Sequence, residues 1–420
     1  TLIDLLPRPV VVSVPELGIR RAHAAVVAGD LRYASQLLEE VVADPTQSDI
    51  ARVLPWALLE KSNVRLHQGE IAEAERLINQ AKEQLLESES DPSVIAQSYH
   101  SLGVVHAMSR RPGAAKEYFE LALEICGQHS GMNRHSAKVN NDIGTLAAEQ
   151  GNASIAKVHF DLAATEFERA GNDLGRVTAM NNLGYAYHLM AQFDVAEQVL
   201  LEAISEAGRL KLKREQAYAQ VTLGDVYVAR RWFNKALAAY ARGLRLGRRC
   251  DERRIVVFAL EGLARCAANS GQIRWAEIQL DEAEQLVHDV GSSGQLGFLK
   301  VSRAIINVKI GSHQLALEQL GDSLDMLGQD AGGPEECRAR LYRAYVFQQA
   351  GACSSAKREI DRLGQLLVAE DLDPFFLVPD IIGLPALKDV ISQVTGADQT
   401  IETLQYEVDR ILLNIDSDEP

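Results

Sequence analysis

Residues 181–200 read NNLGYAYHLMAQFDVAEQVL, and their spacing decides how the rest of the chain is interpreted. Gly184 precedes Ala196 by twelve positions, and the aromatic Tyr187 lies between them. A single pair of helices could carry this combination by accident. The pattern becomes informative only if it returns elsewhere in the chain.

The pattern returns nine times, at a spacing of 40 or 41 residues. Each copy has a turn position, an alanine five residues after it and a small residue seven residues before it. The small residues are Ala22, Ser62, Gly103, Gly144, Gly184, Gly224, Ala264, Ala304 and Ala344. The alanines are Ala34, Ala74, Ala115, Ala156, Ala196, Ala236, Ala276, Ala316 and Ala356. Because both positions carry the expected type of residue in all nine copies, the pattern indicates an internal repeat.

Each repeat is predicted to be a helical hairpin, because two apolar-periodic stretches flank a short turn. The small residue and the alanine are placed where the two helices cross most closely. A bulky apolar residue four positions after each alanine is expected to fill the seam toward the next hairpin. Since no hairpin buries its own apolar face, the hairpins must stack. The predicted fold is all-α, a right-handed αα-superhelix of nine hairpins of about 40 residues each.

The predicted organisation is a repeat array over residues 1–368, followed by a C-terminal capping segment over 369–420. A terminal helix is predicted near the end of that segment, where apolar residues recur at helical spacing. These residues are Ile401, Leu404, Val408, Ile411 and Ile415. Such a stripe could form a short coiled-coil seam, but covering the open end of the stack is the favoured interpretation.

Composition excludes several classes of function. The net charge of −15 argues against direct nucleic-acid binding, and the chain has no run of apolar residues long enough to cross a membrane. Five scattered cysteines suggest neither a disulfide framework nor a metal site and fit a cytoplasmic protein. No metalloprotease, hydrolase or phosphate-loop motif is present. We therefore expect a non-enzymatic protein without a cofactor or a bound metal.

Three stretches carry a resemblance to a known repeat. LGYAY (183–187), LGDVY (223–227) and AKEYF (115–119) resemble the tetratricopeptide repeat, in which Leu-Gly is followed by Tyr and later by Ala-x3-Phe. The period here is 40 residues where that repeat has about 34, and the usual proline after the second helix is missing. Helices of roughly 16 residues would account for the longer period.

Both flanks resemble the superhelical sensor domain of maltose-regulon-activator-like regulators, which are signal-transduction ATPases with numerous domains. The resemblance rests on TLIDLLPRPVVVSVPELGIRRAHAAVVAGDLRYASQLLEE (1–40) and LLVAEDLDPFFLVPDIIGLPALKDVIS (366–392). It implies an effector-sensing module that lies between a nucleotide-binding ATPase and a DNA-binding domain. Neither neighbour is recognisable in this sequence. Because the chain opens on Thr1, we expect either a processed chain or a sensor domain excised from such a regulator.

The candidate ligand site is predicted on the concave face, which the first helix of each hairpin lines. The inner positions lie three before, one after and four after the small residue, with another six before it. Polar and aromatic residues at these positions are densest in repeats three to six. The candidates are His100, Lys138, Asn141, Thr145, Asn181, Tyr185, His188, Tyr218 and Asp225. Amides and tyrosine rings suit a neutral polar ligand, although the same residues could simply solvate an open groove or bond to neighbouring helices.

The flanking repeats have apolar residues at the inner positions instead, namely Leu59, Leu66, Val301, Ile305 and Val308. A basic region at 205–254 has thirteen Lys or Arg against five Asp or Glu. Cations there complement the C-terminal ends of helices, or they form a docking patch for an acidic surface.

We favour a ligand-sensing and protein-interaction module of a bacterial transcriptional regulator, with an inducer bound on the concave face. Its partners would be a small-molecule or peptide inducer and the ATPase and DNA-binding domains of the parent protein, or other subunits. The alternative is a tetratricopeptide-like scaffold or peptide receptor that binds a partner segment in the groove. The adjacent pairs Asn140, Asn141 and Asn181, Asn182 suggest this alternative, because peptide-pheromone receptors of this type hold a peptide backbone with asparagines.

Overall fold

The structure is a computed structural model, and it describes most of the chain. The described residues are 14–27, 30–43, 50–86, 91–288, 293–327, 333–370, 372–394, 401–402, 404–406 and 408–409. Their regular secondary structure is helical throughout, with no strand in this part of the chain. The predicted all-α fold class is therefore confirmed. None of the described helices is both long enough and apolar enough to cross a membrane.

Eighteen helices form nine successive hairpins over the described residues up to Ala369, as the repeat predicts. They are α1 (Pro15–Val27), α2 (Leu31–Val42), α3 (Ile50–His67), α4 (Ile71–Leu86), α5 (Pro92–Met108), α6 (Pro112–Gln128), α7 (Asn133–Glu149), α8 (Ala153–Arg169), α9 (Asp173–Leu189), α10 (Phe193–Arg209), α11 (Lys213–Ala229), α12 (Phe233–Arg249), α13 (Arg253–Asn269), α14 (Ile273–His288), α15 (Ser293–Lys309), α16 (His313–Leu327), α17 (Pro334–Gln349) and α18 (Cys353–Ala369).

Helix starts follow from local chemistry. The Asp91 carboxylate accepts a hydrogen bond from the Ser93 amide at 2.9 Å, and Asn172 accepts one from the Gly175 amide at 3.2 Å. These side chains satisfy amides that lack a partner in the first helical turn. Proline stands in the first turn of α5, α6 and α17, where its missing amide proton costs nothing.

The turn positions inside the hairpins adopt left-handed backbone conformations. Gly151 has φ +78°, and the same conformation occurs at Ala191 with φ +54°. This conformation costs a residue with a β-carbon roughly 1–2 kcal/mol, which explains why glycine occupies most of these turns. The chain therefore reverses at the repeat spacing that the sequence predicts.

Packing inside the hairpins centres on the small residue and the bulky residue of the same repeat. A β-carbon on Gly103 would come within 2.4 Å of the Phe119 ring, and one on Gly184 within 2.5 Å of Leu200. The side chain folds back over the small residue because the absence of a β-carbon leaves the space there. For these two pairs the seam toward the next hairpin stays a prediction, whereas the Tyr240 ring does reach the next hairpin, within 2.3 Å of a β-carbon on Gly262.

The chain divides into two compact units. Unit 1 comprises Thr1–Ile143 and Thr165–Gly171, and unit 2 comprises Gly144–Ala164 and Asn172–Pro420. Residues such as Leu37, Leu38 and Ile78 are fully buried in unit 1, as are Leu200 and Tyr240 in unit 2. Within each unit, the first helices of successive hairpins contact one another more closely than the second helices do. The first helices therefore form the inner face, and the second helices form the outer face.

The C-terminal segment of unit 2 adds three short elements after the hairpins. These are a 3-10 helix (Pro374–Leu377), α19 (Val378–Gly383) and α20 (Leu387–Ile391). Within the predicted terminal helix, 401–402, 404–406 and 408–409 are helical, and Ile401, Leu404 and Val408 are buried. Ile411 and Ile415 lie outside the described residues. The division into repeats and a capping segment stays a prediction.

Candidate functional site

Three of the predicted site residues lie in unit 1. His100 Nε2 on α5 is 2.7 Å from Asp142 Oδ2, and the Asn141 amide donates to Asp142 Oδ1 at 3.3 Å. Lys138 lies one turn earlier on α7. Burial lowers the pKa of its ammonium, and Arg134 lowers it further. The three residues thus belong to one polar region of α5 and α7.

Unit 1 also holds a buried carboxylate that the sequence did not single out. Glu60 on α3 accepts hydrogen bonds from Asn63 and Gln97, each at 3.3 Å, and lies 3.1 Å from His23 Nδ1. Burial alone would raise its pKa, but these bonds and the charge of His23 bring the pKa below the ordinary value. Glu60 stands two positions before the small residue Ser62. The predicted ligand-site residues were not chosen from this position of the repeat.

The other six predicted residues lie in unit 2. Thr145 is exposed on α7. Asn181 on α9 accepts a hydrogen bond from the Thr222 hydroxyl at 3.0 Å and donates one to Asn182 at 3.2 Å. On α11, the Tyr218 ring lies 5.9 Å from the Arg214 guanidinium. The bond between Thr222 and Asn181 therefore links α9 to α11.

Asp225 on α11 is the centre of a connected polar group of unit 2. Its Oδ1 accepts hydrogen bonds from the Tyr240 hydroxyl at 2.7 Å and from Arg265 Nη2 at 2.5 Å. Arg265 Nε also donates to Glu261 at 3.0 Å. Arg265 and Glu261 lie on α13, at the same inner positions that Tyr185 and Asn181 occupy on α9. The prediction stopped at the sixth repeat and missed them, although the same columns applied to the seventh would have found both.

Tyr185 and His188 lie together on α9, one turn apart. Their ring centroids are 6.3 Å apart with an angle of 29° between the planes. His188 is buried, and this burial lowers its pKa to about 4, so the imidazole is neutral at pH 7. Tyr185 is 40% exposed, yet desolvation still raises the pKa of its hydroxyl. Solvent therefore reaches the Tyr185 ring, whereas the His188 ring beside it is buried.

The apolar inner positions of unit 2 are buried in one cluster with the C-terminal segment. Val301, Ile305 and Val308 are buried in the same cluster as residues 376–382. Helix α19 also packs against α11, and a β-carbon on Gly151 would come within 2.8 Å of the Asp373 carbonyl oxygen. Among the polar inner positions of α9, α11 and α13, Tyr185 is exposed, Asn181, Asp225 and Arg265 are half-buried, and Glu261 is buried.

An ion cluster holds this segment in place. Arg338 on α17 donates to both carboxylate oxygens of Asp380, at 2.7 and 2.9 Å, and the Tyr342 hydroxyl donates at 3.1 Å. The Lys309 ammonium donates to the Asn269 side chain at 3.1 Å, and burial lowers its pKa. The sequence could not indicate this cluster, because Asp380 lies in a segment without the repeat.

Part of the basic region is paired within the fold. Arg214 Nε lies 2.9 Å from Glu252, Arg230 Nη1 lies 2.7 Å from Asp194, and Arg248 Nη2 lies 2.5 Å from Glu282. Three arginines on the outer side of α12 are exposed: Arg242, Arg245 and Arg249. The docking role of this region stays a hypothesis.

Comparisons with known proteins identify the repeat type. Tetratricopeptide-repeat models match residues 54–128 and 177–208. The segments that carry the repeat are therefore tetratricopeptide-like, and the resemblance to maltose-regulon-activator-like regulators is not confirmed. No curated protein sequence matches the chain.

Several solved structures share the fold. A Rap protein complexed with competence and sporulation factor is 13% identical, with 85% of this chain and 98% of that chain covered and a TM-score of 0.64. NprR in complex with its cognate peptide NprX is 12% identical, with 84% and 96% covered and a TM-score of 0.56. Aspartyl phosphate phosphatase F from Bacillus subtilis is 12% identical, with 84% and 94% covered and a TM-score of 0.53. At these identities the similarity establishes a helical repeat solenoid.

Proposed function

We propose that this chain is a tetratricopeptide-like receptor module that binds a peptide segment on the accessible inner face of unit 2. The observation that carries the proposal is the division of that face. Its apolar positions are buried in one cluster with the chain's own C-terminal segment, whereas Asn181 and Asp225 are half-buried and Tyr185 is exposed. The Asn181 amide and the Tyr185 hydroxyl can each donate and accept hydrogen bonds, which suits a peptide backbone.

The solved structures support a peptide over a small-molecule inducer. Two of the similar proteins are complexed with a peptide or a factor, NprR with NprX and a Rap protein with competence and sporulation factor. We propose that this chain acts by binding and not by catalysis. A role within a bacterial transcriptional regulator would make the peptide the inducer. The ATPase and DNA-binding domains of that regulator would then respond to it.

The test is a thermal-shift screen of the whole chain against random heptapeptides, with sugars and nucleotides in parallel. A ligand at one hundred times its dissociation constant adds about 2.7 kcal/mol of stability, which such a screen detects. We expect hits among the peptides. Hits confined to sugars or nucleotides would contradict the proposal.

A variant pair then locates the binding site. Asn181→Ala removes an inner amide, and we expect it to weaken peptide binding by about fivefold, the loss of roughly one hydrogen bond. Gln198→Ala is the matched control, because Gln198 is exposed on the second helix of the same hairpin. Isothermal titration calorimetry measures both. Equal affinity of the two variants would place the peptide elsewhere.

A further inference from the structure

The second helices of unit 2 share one stripe of residues on their outer side. Its four positions lie one before the alanine of each repeat and two, six and nine after it, which is the spacing of one helix face. We call this stripe the outer ridge of a helix. On α10, α12, α14, α16 and α18 the ridge residues are exposed, except for Glu282 and Ser355, which are half-buried.

The ridge residues change in type from one helix to the next. They are Val195, Gln198, Glu202 and Ser205 on α10; Lys235, Ala238, Arg242 and Arg245 on α12; Trp275, Ile278, Glu282 and Gln285 on α14; Leu315, Glu318, Asp322 and Asp325 on α16; and Ser355, Arg358, Arg362 and Gln365 on α18. The α12 ridge thus has only cations and the α16 ridge only carboxylates. Farther out the signs are reversed, with a carboxylate on α10 and two arginines on α18. Opposite charges therefore lie at equal distances on the two sides of α14.

The ridge of α14, between the basic and the acidic ridge, is largely apolar. The Trp275 side chain is 37% exposed and that of Ile278 is 52% exposed. The carboxylate of this ridge, Glu282, lies 2.5 Å from Arg248 of the same chain, so it adds little net charge. A large apolar surface between charged margins is the arrangement of an interface core and its rim.

Charges on the flanking ridges are available to a partner. In the part of the chain that the structure describes, Arg242, Arg245 and Asp325 form no ion pair. Asp322 lies 3.8 Å from Lys300, but its side chain stays 57% exposed. Like charges three or four residues apart on one helix repel each other. A surface of opposite charge placed against each ridge would relieve this repulsion.

A second copy of this chain supplies such a surface when a two-fold axis runs along α14. The rotation places α12 of each copy on α16 of the other, and α10 on α18. Because equivalent positions of the repeats lie at the same height, Arg242 then faces Asp322 of the second copy. Arg245 likewise faces Asp325, and Ile278 meets its own counterpart at the axis. An axis perpendicular to α14 would instead place the basic ridge on itself.

We propose that the outer ridges of α10 to α18 form an isologous interface with a second copy of this chain, with the two-fold axis along α14. Ridges of about 15 Å on five helices spaced about 10 Å apart bury roughly 600 Å² per copy, less than the roughly 800 Å² of a standard interface. The dimer is therefore weak and reversible. It uses the second helices, so it does not depend on the peptide site that we propose on the first helices.

Sedimentation equilibrium of the full chain at several protein and salt concentrations tests for this dimer. We expect a reversible monomer–dimer equilibrium with a Kd on the order of 10 μM. The Kd should rise by at least about fivefold between about 50 mM and 500 mM salt, because salt screens exposed charges. A chain that stays monomeric, or a dimer whose Kd does not change with salt, would overturn the proposal.

Charge reversal tests which ridges face each other. Arg242→Glu with Arg245→Glu makes the α12 ridge acidic, and Asp322→Arg with Asp325→Arg makes the α16 ridge basic. Each double variant alone should self-associate at least about tenfold more weakly, because like charges then meet. An equimolar mixture of the two should dimerise nearly as wild type, because both contacts again join opposite charges. A mixture that stays monomeric would show that these ridges do not face each other.

The matched control for the reversal is Lys211→Glu with Lys213→Glu. Both lysines are exposed at the turn before α11 and at its start, outside the ridges. This variant changes the net charge as much as the α12 variant does and should self-associate as wild type. Thermal melts confirm that every variant is folded. Equal weakening by both reversals would assign the effect to net charge and overturn the interface.

Cross-linking tests the position of the axis. A residue on a two-fold axis lies beside its counterpart, so oxidation with copper phenanthroline should link two copies through Ile278→Cys. The background variant is Cys353→Ser, because Cys353 is exposed on α18. The control is Val158→Cys, at the same position of the repeat on α8 and exposed to a similar extent, 50% against 52%. It should stay unlinked. No link through Ile278→Cys, or equal linking of both variants, would overturn the proposed axis.

Discussion

The Tyr240 hydroxyl donates a 2.7 Å hydrogen bond to Asp225, although Tyr240 belongs to the second helix of its hairpin and Asp225 lies on the inner face. Two glycines leave the space through which the Tyr240 ring reaches Asp225. A β-carbon would come within 2.6 Å of the Tyr240 ring at Gly224 and within 2.3 Å of it at Gly262. A side chain of the outer helix α12 thus reaches Asp225 on the inner face through a gap between α11 and α13.

Closing this gap is predicted to destabilise unit 2. Gly262→Ala forces the Tyr240 ring to move, and overpacking of this kind costs about 1–3 kcal/mol. Replacing Tyr240 by Leu as well should remove the clash, so the double variant should lose less stability than the two single variants together. Urea denaturation gives the free energy of unfolding for each variant.

The control for this prediction is Gly321→Ala. A β-carbon on Gly321 meets no other atom within 4 Å, and the residue lies inside a helix. Alanine there should stabilise the helix by up to about 1 kcal/mol. Similar effects of the two alanine substitutions would show that the ring does not fill the gap as described.

His188 is predicted to make stability depend on pH. Burial lowers its folded-state pKa from 6.5 to about 4, so the unfolded chain binds the proton more readily. The stabilisation is therefore complete above the unfolded pKa and is lost as pH falls from about 6.5 toward 4. The loss amounts to roughly 3 kcal/mol for this one group.

Urea denaturation between pH 7 and pH 4 measures this effect. His188→Phe keeps an aromatic ring without a titrating group, and its stability should fall less over this range than that of wild type. His288→Phe is the control, because His288 is exposed at the end of α14. If the pH dependence of His188→Phe equalled that of wild type, another group would be responsible.

The turn at Ala191 is predicted to gain stability from glycine. Ala191 has φ +54°, a conformation that costs a β-carbon about 1–2 kcal/mol. Glycine removes this cost. Its greater flexibility in the unfolded chain lowers the stability by about 0.5–1 kcal/mol, so Ala191→Gly should raise the free energy of unfolding by up to about 1 kcal/mol. Ala241→Gly, inside α12, should instead lose about 1 kcal/mol. Thermal melts compare the two, and a loss in both would contradict the strain at the turn.

The fold was predictable because its determinants are local and periodic. Gly184 and Ala196 recur at fixed positions, and each helical hairpin needs only its own residues to reverse direction. The ion pair between Arg265 and Asp225 could also have been predicted, since the two residues occupy the same position in successive repeats. The burial of Val301 in one cluster with residues 376–382 was not predictable, because those residues lie in a segment without the repeat.

Side chains that depend on two repeats at once also escaped prediction. Tyr240 occupies a column where other repeats have Leu, Ile or Phe, so its hydroxyl was taken as part of an apolar filler. Its path to Asp225 requires Gly262 in the next repeat. The available signal was that Tyr240 and Gly262 both differ from the residue types that the other repeats have at these two positions.

The bond between Arg338 and Asp380 is predicted to hold the C-terminal segment on the inner face. Both oxygens of the buried Asp380 carboxylate accept hydrogen bonds from Arg338. Asp380→Asn leaves the guanidinium with only the partly exposed Glu335, and breaking a buried pair of this kind costs about 3 kcal/mol. Hydrogen exchange should accelerate in residues 377–382, which would uncover Val301. The control Asp409→Asn breaks the more exposed pair with Lys388 and should cost less than about 1 kcal/mol. Equal and small losses in the two variants would mean that apolar burial alone keeps the segment in place.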